Sequence, residues 1–531
     1  MEDPTHDNAA PAGRFEALLR DENASQIEQS MTLCKALKLY AKAVFWSMIV
    51  SSTLILEGYA LAIVNMMYAS PAFNAKFGTG PADGNWIISK AWYYGLSNGP
   101  RCGAIIGLLI SGQISEHFGC RRTMTGALLA LCLILFMFFT AVNIQMLLAA
   151  QILSGIAWGV FQILPAVYAS EVCPIVLRPY VTTFINMCWI IGQYLAAGIY
   201  LNTASSTTQL AYQIPFGVQW LWIPLVAVTI MVAPESPWWY VRNGHLEDAR
   251  EALQRLTSRH YSAAEIEETL VMIQHTNELE RSHVAGTSYL DCFKGTNLRR
   301  TEIVCLVWMV QTLCGSGFVS FLNHFLQQIG MGPLDFLQDS SREFLAGFLG
   351  TICSWFLIRV AGRRWIHIFG LTGLFMFLVI IGSLGFAPAS DEAAKWLMRF
   401  FLYSLTFFFD FTIGPVTWAL VSELPSTRLK VKTMALARVL WNISNIAVHI
   451  LSYRMMGVKA WNWGAKTAYF WAGTCLCCLV WSYFRLPEPR GRAYKELDLL
   501  FERGASARKF SVTQANASEA ELQRMQGGER G

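Results

Sequence analysis

The chain has 531 residues, of which 54% are hydrophobic, 13% aromatic and only 15% charged, and its formal net charge at pH 7 is +5. Soluble domains carry about 25% charged residues, so this composition excludes a soluble protein and is typical of helices that face lipid. The 13 cysteines show no spacing typical of a metal site, and we expect no metal, no cofactor and no nucleic-acid partner.

Twelve apolar runs of about 20 residues or more follow one another along the chain, each bounded by charged or Gly/Pro stretches. A run of this length crosses a hydrocarbon core of about 30 Å as a helix. The runs therefore predict twelve transmembrane helices, here called spans 1 to 12. Their approximate centres are Leu54, Ile105, Leu133, Gly155, Ile190, Val226, Gln311, Leu349, Phe375, Phe408, Ile446 and Cys475.

The twelve spans fall into two groups of six. We predict an all-α membrane protein with an N-terminal tail (1–42), a first six-helix bundle (43–233), a linker (234–300), a second bundle (301–486) and a C-terminal helix and disordered tail (487–531). The linker is predicted to be helical and cytosolic, because Leu246, Ala249, Leu253 and Leu256 recur on one helical face between charged residues.

Basic residues collect at the same end of the predicted bundle. They follow the even-numbered spans at Arg121-Arg122, Arg363-Arg364, Arg428 to Lys432 and Arg490 to Arg508. By the positive-inside rule these junctions and both termini should be cytosolic. We expect an integral, multi-pass, monomeric protein of the plasma membrane, with the vacuolar membrane as the alternative.

Three motifs occur once in each half, at an almost constant offset of about 250 residues, which is typical of two multi-span repeats around a central substrate site. The corresponding residues are Gly112, Glu116, Gly119 and Arg121 with Gly362, Arg363 and Arg364; Glu171 and Arg178 with Glu423 and Arg428; and Pro234-Glu235 with Pro487-Glu488.

Acidic and basic residues in these motifs suggest a gate at the cytosolic end. A carboxylate on one helix and an arginine on its neighbour can form a pair in one conformation that breaks in the other, and such pairs bias a two-state equilibrium. The alternative is that the arginines are interfacial anchors. The predicted gating network consists of Glu116, Arg121, Glu171, Arg178, Glu235, Arg242, Arg363, Arg364, Glu423, Arg428 and Glu488.

Four ordered segments carry a family resemblance. They are Gly155 to Gln162 (GIAWGVFQ), Tyr168 to Pro174 (YASEVCP) followed by Arg178, Pro234 to Trp239 (PESPWW) and Pro487 to Arg492 (PEPRGR). With these motifs the chain resembles, over about residues 40–503, the sugar porters of the major facilitator superfamily, and among them the fungal maltose or α-glucoside permeases. The resemblance implies the superfamily's fold and transport of an α-glucoside such as maltose by alternating access. Arg359 stands where the superfamily motif has its second-half acid.

The resemblance also implies substrate-binding residues: Asn186, Gln193, Gln311, Trp418 and Asn442. Amides match sugar hydroxyls and aromatic faces stack on sugar rings. The same chemistry, without the resemblance, indicates three more candidate substrate-binding residues: Gln162, Asn323 and His324. For each amide the alternative is an interhelical hydrogen bond, and for Trp418 it is core packing.

Proton coupling is doubtful from the sequence. Proton-linked sugar porters have an aspartate after the Gly-Tyr of span 1 and an arginine in span 4, but Gly58-Tyr59 precedes Ala60, and Gln151 takes the arginine's place. Neither replacement can titrate.

Two acids inside the spans, Glu57 and Asp410, remain as possible proton carriers. The alternative for Glu57 is a hydrogen bond that fixes spans 1 and 4. The alternative for Asp410 is a structural pair with Arg438 or Arg399.

Two other functions stay open from the sequence. One is a facilitator or exporter of a secondary metabolite, and the other is a sugar sensor that does not transport. No phosphate-binding loop and no set of nucleophile, base and orienting residue is present, so we expect no enzyme. The expected partners are a small-molecule substrate, the lipid bilayer and, as an open alternative, protons.

Overall fold

The computed structural model describes residues 31–68, 70–78, 80, 88–203, 208–283, 288–319, 333–388, 391–457, 460–492 and 494–510. Every regular element among these residues is a helix. Within them, ten helices are long and apolar enough to cross a membrane: Ala41–Met67, Lys90–Phe139, Ile144–Val172, Arg178–Thr203, Leu210–Val232, Gly295–Val319, Gln338–Val360, Arg363–Leu384, Glu392–Glu423 and Lys430–Met456.

Two further observations bring the described residues to twelve spans. The helix Lys90–Phe139 has 50 residues and breaks at Gly119, whose φ of 84° is open to glycine, so it forms spans 2 and 3. The helix Thr467–Arg485, with 19 residues, is span 12. The twelve-helix prediction is confirmed, and the spans form two bundles of six.

Spans 4 and 10 occupy equivalent places in the two halves, and both are interrupted. Span 4 ends its first helix at Phe161 and resumes at Leu164, and span 10 does so at Phe411 and Ile413. A proline follows each break, and proline lacks the N–H that a continuous helix needs. The breaks place irregular backbone inside the protein rather than against lipid, as the bilayer requires.

The linker between the bundles is helical, with helices Pro237–Arg242, Leu246–Leu256 and Ala263–His283 and a 3-10 helix Tyr289–Phe293. Ala249, Leu253 and Leu256 of the predicted face are buried, whereas Leu246 at the helix start is 39% exposed. Ala249 and Leu253 form a small separate core with Trp238 and Ile273, whereas Leu256 packs into the cluster of the first bundle. A helix Tyr494–Glu502 follows span 12.

The two bundles contact each other mainly through span 5 against spans 8 and 10, and through span 2 against span 11. Three apolar clusters fill the interior, one mostly in the first bundle, one in the second and one shared between them. A central space between the bundles is walled by spans 5, 7, 8, 10 and 11.

Inside the first bundle, spans 2 and 4 approach closely through glycines. A Cβ on Gly159 would lie 2.6 Å from the carbonyl oxygen of Ala104, and one on Gly155 would overlap the carbonyl oxygen of Pro100. Small residues allow this backbone contact, which supplies van der Waals attraction where lipid provides no hydrophobic driving force.

We expect Gly155→Ala to destabilise the protein by about 1–3 kcal/mol, because the new methyl group overpacks spans 2 and 4. The melting temperature of the purified protein in detergent measures this effect. Gly126→Ala in span 3 is the matched control, since nothing lies within 4 Å of its Cβ position. Equal melting temperatures for the two variants would contradict the packing argument.

Candidate functional site

A cavity of about 200 Å³ lies between the two bundles, near the middle of the spans. Amide groups dominate the polar part of its wall, and aromatic rings dominate the apolar part. The first bundle contributes Asn186, Trp189, Ile190 and Gln193 from span 5. The second bundle contributes Gln311, Thr312, Ser316, Val319, Glu343, Phe344, Gly347, Leu405, Thr406, Phe409, Asp410, Trp441 and Asn445.

Three of the predicted substrate residues, Asn186, Gln193 and Gln311, line this cavity. Gln311 is partly engaged, because its Nε2 donates to the carbonyl oxygen of Gly414 at 3.2 Å. The carbonyl belongs to the interrupted part of span 10. Asn323 and His324 lie outside the described residues.

The other predicted substrate residues are buried beside the cavity instead of lining it. Trp418 is 1% exposed and packs edge-on against Trp308, with ring centroids 4.8 Å apart. Gln162 and Asn442 are 3% and 0% exposed, and the Asn442 amide donates to Gln162 Oε1 at 3.1 Å. The aromatic walls of the cavity are formed by Trp189 and Trp441, which the sequence did not indicate.

Gln162 is the centre of a buried polar network that joins the two bundles. Its Nε2 donates to Glu57 Oε1 at 2.5 Å, so the expected link between spans 1 and 4 is present. Its Oε1 accepts from Arg438 Nε at 3.1 Å. Glu57 Oε2 and both terminal nitrogens of Arg438 have no hydrogen-bond partner among the described residues.

Four tryptophan rings surround the Arg438 guanidinium. Its central carbon lies 3.6 Å from the ring centroid of Trp441 and 4.3, 5.2 and 5.4 Å from those of Trp308, Trp189 and Trp418. Aromatic faces attract a cation, and more strongly when it is desolvated. The indoles therefore hold the arginine charge beside the cavity without exposing it there.

Asp410 does not pair with either arginine that the sequence suggested. Asn186 Nδ2 donates to Asp410 Oδ1 at 2.9 Å and to Thr351 Oγ1 at 3.2 Å, which connects span 5 to spans 10 and 8. The arginines are engaged elsewhere, because Arg399 lies 3.6 Å from Asp339 and Arg438 donates to Gln162. The interhelical hydrogen bond proposed as the alternative role for Asn186 is thus present at the cavity wall.

Glu343 is an acidic lining residue that the sequence analysis did not name. It is 7% exposed and lies in span 8, five residues after its start at Gln338. The residues just before it, Gln338 to Arg342, are polar or charged, so hydropathy does not mark Glu343 as an acid inside a span.

The Pro-Glu motifs form equivalent helix caps in the two halves, at the end of the bundle that carries the repeated motifs, here called the motif end. Glu235 accepts the backbone N–H groups of Cys120 and Arg121, both at 3.0 Å. Glu488 accepts those of Arg363 and Arg364 at 2.9 and 3.0 Å. The first N–H groups of a helix have no intrahelical acceptor and attract negative charge.

Glu235 and Glu488 accept hydrogen bonds from backbone N–H groups. The side chains of the neighbouring arginines bind elsewhere. Arg121 donates to the carbonyl oxygen of Ala233 at 3.2 Å, and Arg364 to that of Tyr483 at 2.7 Å. Burial raises the pKa of the Glu235 carboxyl, against the lowering effect of its backbone N–H donors. Each cap joins residues of the same half and fixes the loops of that half.

The other motif acids form side-chain ion pairs. Glu171 pairs with Arg242 at 2.9 Å and also accepts from the hydroxyl of Ser236, and in the second half Arg363 lies 3.4 Å from Glu423. Arg428 lies in the turn before span 11.

Contacts between the halves close the motif end. Glu116 of span 2 pairs with Lys432 of span 11 at 2.7 Å, and Lys430 Nζ donates to Ser170 Oγ at 3.3 Å. The Arg178 guanidinium lies 4.4 Å from the ring centroid of Tyr494. The two lysines were not among the predicted gating residues, because the basic cluster of span 11 was interpreted as a topology signal.

Comparison with known proteins agrees with this architecture. Residues 46–501 match the family model "Sugar (and other) transporter". The general alpha-glucoside permease of Saccharomyces cerevisiae is 38% identical over 519 residues, covering 96% of this chain and 83% of that protein. The maltose permease MAL61 of the same organism is 38% identical over 507 residues, with 94% and 82% coverage.

Solved structures share the fold. The proton:xylose symporter XylE bound to 6-bromo-6-deoxy-D-glucose superposes with a TM-score of 0.76 at 17% identity, covering 87% of this chain and 100% of that one. The inward-open conformation of XylE from E. coli gives 0.62 at 18% identity, with 86% and 98% coverage. The chain is therefore an integral multi-pass membrane protein that belongs to the sugar transporter family and has the fold of the major facilitator superfamily.

Proposed function

We propose that this protein carries an α-glucoside such as maltose across the membrane by alternating access. The observation that carries the proposal is the central cavity, which lies between two repeats, contains amides and indoles, and is shut off from the motif end by contacts between the halves. Relatives named alpha-glucoside permease and maltose permease over nearly the whole chain support this substrate class.

The cavity chemistry suits a sugar. The amides of Gln193 and Asn445 can donate to and accept from hydroxyl groups, and the rings of Trp189 and Trp441 can cover the C–H face of a pyranose. At about 200 Å³ the cavity is smaller than the usual ligand pocket of about 300–1,000 Å³. A disaccharide therefore requires the halves to separate further at the end opposite the motifs.

The motif end is the cytosolic gate in this proposal, closed in the conformation described. The cap residues Glu235 and Glu488 stay bound within their own halves, whereas the pair Glu116–Lys432 joins the halves and must break when the gate opens. Both termini are then cytosolic, and we expect the protein to act as a monomer in the plasma membrane.

Transport is downhill or only weakly linked to protons. Ala60 and Gln151, which replace the familiar charged pair, are 6% and 1% exposed and cannot titrate. Glu57 is the remaining acid of span 1, and it is hydrogen-bonded to Gln162. Its role in this proposal is to fix spans 1 and 4.

Uptake tests both substrate and energetics. We expect labelled maltose to equilibrate without accumulation in transporter-deficient yeast that express the chain, at acidic and at neutral pH and with or without an uncoupler. Uphill uptake that an uncoupler abolishes, and that Glu57→Gln removes, would establish proton symport instead. Absence of uptake by protein at the cell surface would favour metabolite export or sensing.

The cavity amides predict a change in apparent affinity. We expect Gln193→Ala to raise the KM for maltose about 5- to 10-fold, because one hydrogen bond to a hydroxyl, worth about 1 kcal/mol, is lost. Asn202→Ala is the control on the same span, where the amide is exposed and donates to the carbonyl oxygen of Gly198. A KM that changes equally in both variants would remove Gln193 from the site.

The gate pair predicts a shift in conformation. We expect Lys432→Met or Glu116→Gln to raise the ratio of gate-open to gate-closed protein about 5-fold, from a loss of about 1 kcal/mol. Distances between probes on unnatural amino acids at the motif ends of spans 3 and 9 measure this ratio. Exchange of the two charges in Glu116→Lys with Lys432→Glu should restore the closed state, and failure to do so would argue against a direct pair.

A further inference from the structure

Three arginines from three segments of the second half lie near one another at the motif end, where the spans leave the membrane. Arg299 lies near the start of span 7, Arg485 is the last residue of span 12, and Arg508 lies in the 3-10 helix Ala507–Lys509 near the C-terminus. Span 12 contacts both span 7 and this 3-10 helix. We call these three residues the arginine triad.

The positive charge of the triad exceeds the negative charge beside it. Arg485 lies close enough to Arg299 for the two charges to repel each other. Glu302, an acid that attracts Arg299, already binds Arg485, whose Nε lies 3.2 Å from Glu302 Oε1. Among the described residues, neither Arg299 nor Arg508 forms an ion pair with a carboxylate. An anion that contacts the triad would replace this repulsion by attraction.

Aromatic rings position two of the guanidinium groups. The central carbon of Arg299 lies 5.5 and 5.9 Å from the ring centroids of Phe501 and Phe510. The central carbon of Arg508 lies 5.4 Å from the ring centroid of Phe484. An arginine held against a ring keeps its N–H groups available, and these N–H groups match the oxygens of a phosphate in a bidentate contact. The triad therefore suits a phosphate group better than a single carboxylate.

Apolar side chains beside the triad are exposed on the outer surface of the bundle. Leu298, which precedes Arg299, is 51% exposed, and Phe484, which precedes Arg485, is 53% exposed. At the end of a span, apolar side chains contact acyl chains while charged groups reach the head-group layer. A ligand that fits both parts of this surface has an anionic head and apolar chains.

We propose that the arginine triad binds the phosphate group of an anionic phospholipid, whose acyl chains lie along Leu298 and Phe484. Basic sites between membrane helices on the cytosolic side bind anionic head groups, and the cytosolic leaflet carries these lipids. The leaflet follows from the proposed cytosolic orientation of the motif end. The site lies outside the central cavity, so it does not depend on which cargo the protein carries.

Retention of lipid by the purified protein tests this site. The full chain is reconstituted in nanodiscs of phosphatidylcholine with about one fifth phosphatidylserine, and the lipids that stay bound after release from the disc are counted by native mass spectrometry. We expect phosphatidylserine to be enriched about 5- to 10-fold over its share of the bilayer.

Variants separate the triad from the general charge of this end. Arg299→Gln and Arg508→Gln should each lower the enrichment about 3- to 5-fold, and the double variant should abolish it. Arg508 is exposed, so its replacement leaves the fold intact, and equal melting temperatures in phosphatidylcholine alone check this for every variant. Arg122→Gln is the matched control, since Arg122 is an exposed arginine at the same end, at the start of span 3, and it should keep the enrichment.

Three results would overturn the proposal. Equal losses in Arg122→Gln and Arg299→Gln would show only a general attraction between a basic face and an anionic bilayer. Unchanged enrichment in the double variant would remove the triad from lipid binding. Displacement of phosphatidylserine by water-soluble glycerophosphoserine would assign the triad to a soluble phosphate ester instead. Failure of the maltose uptake test would leave the lipid site standing, because retention is measured without sugar.

Discussion

The bilayer core holds no water, so polar groups of the spans can find hydrogen-bond partners only inside the protein, and this constraint shapes the interior of the molecule. Its buried polar side chains collect where the two bundles meet. Asn186 bridges to Asp410 and Thr351, and Gln162 bridges Glu57 to Arg438. Groups that hold the halves together therefore also lie beside the cavity.

Two kinds of contact are present at the motif end: helix caps within each half and an ion pair between the halves. Glu235 and Glu488 cap helices within their own halves, and buried caps of this kind keep each half rigid because they satisfy otherwise unpaired N–H groups. The pair Glu116–Lys432 crosses between the halves. A partly exposed ion pair contributes little free energy, which suits the proposed role of this contact in the gate.

The central cavity departs from a neutral sugar site in one respect. Acids stand on its wall at Glu343 and Asp410, while the charged pair usual for proton-linked relatives is replaced by Ala60 and Gln151. The first bundle keeps Glu57 as a buried acid of span 1 beside the cavity, while the two acids on the cavity wall belong to the second bundle.

Local pattern was enough to predict the twelve spans, the helical linker and the repeated motifs, because hydropathy and helical periodicity act over short stretches of chain. The family resemblance also named Asn186, Gln193 and Gln311, which do line the cavity. It could not tell that Trp418 faces the core, nor that Asn186 and not an arginine is the partner of Asp410. The direction in which a side chain points from a buried helix, and the partner it meets, depend on how that helix is rotated and packed against its neighbours, and only the tertiary structure decides this.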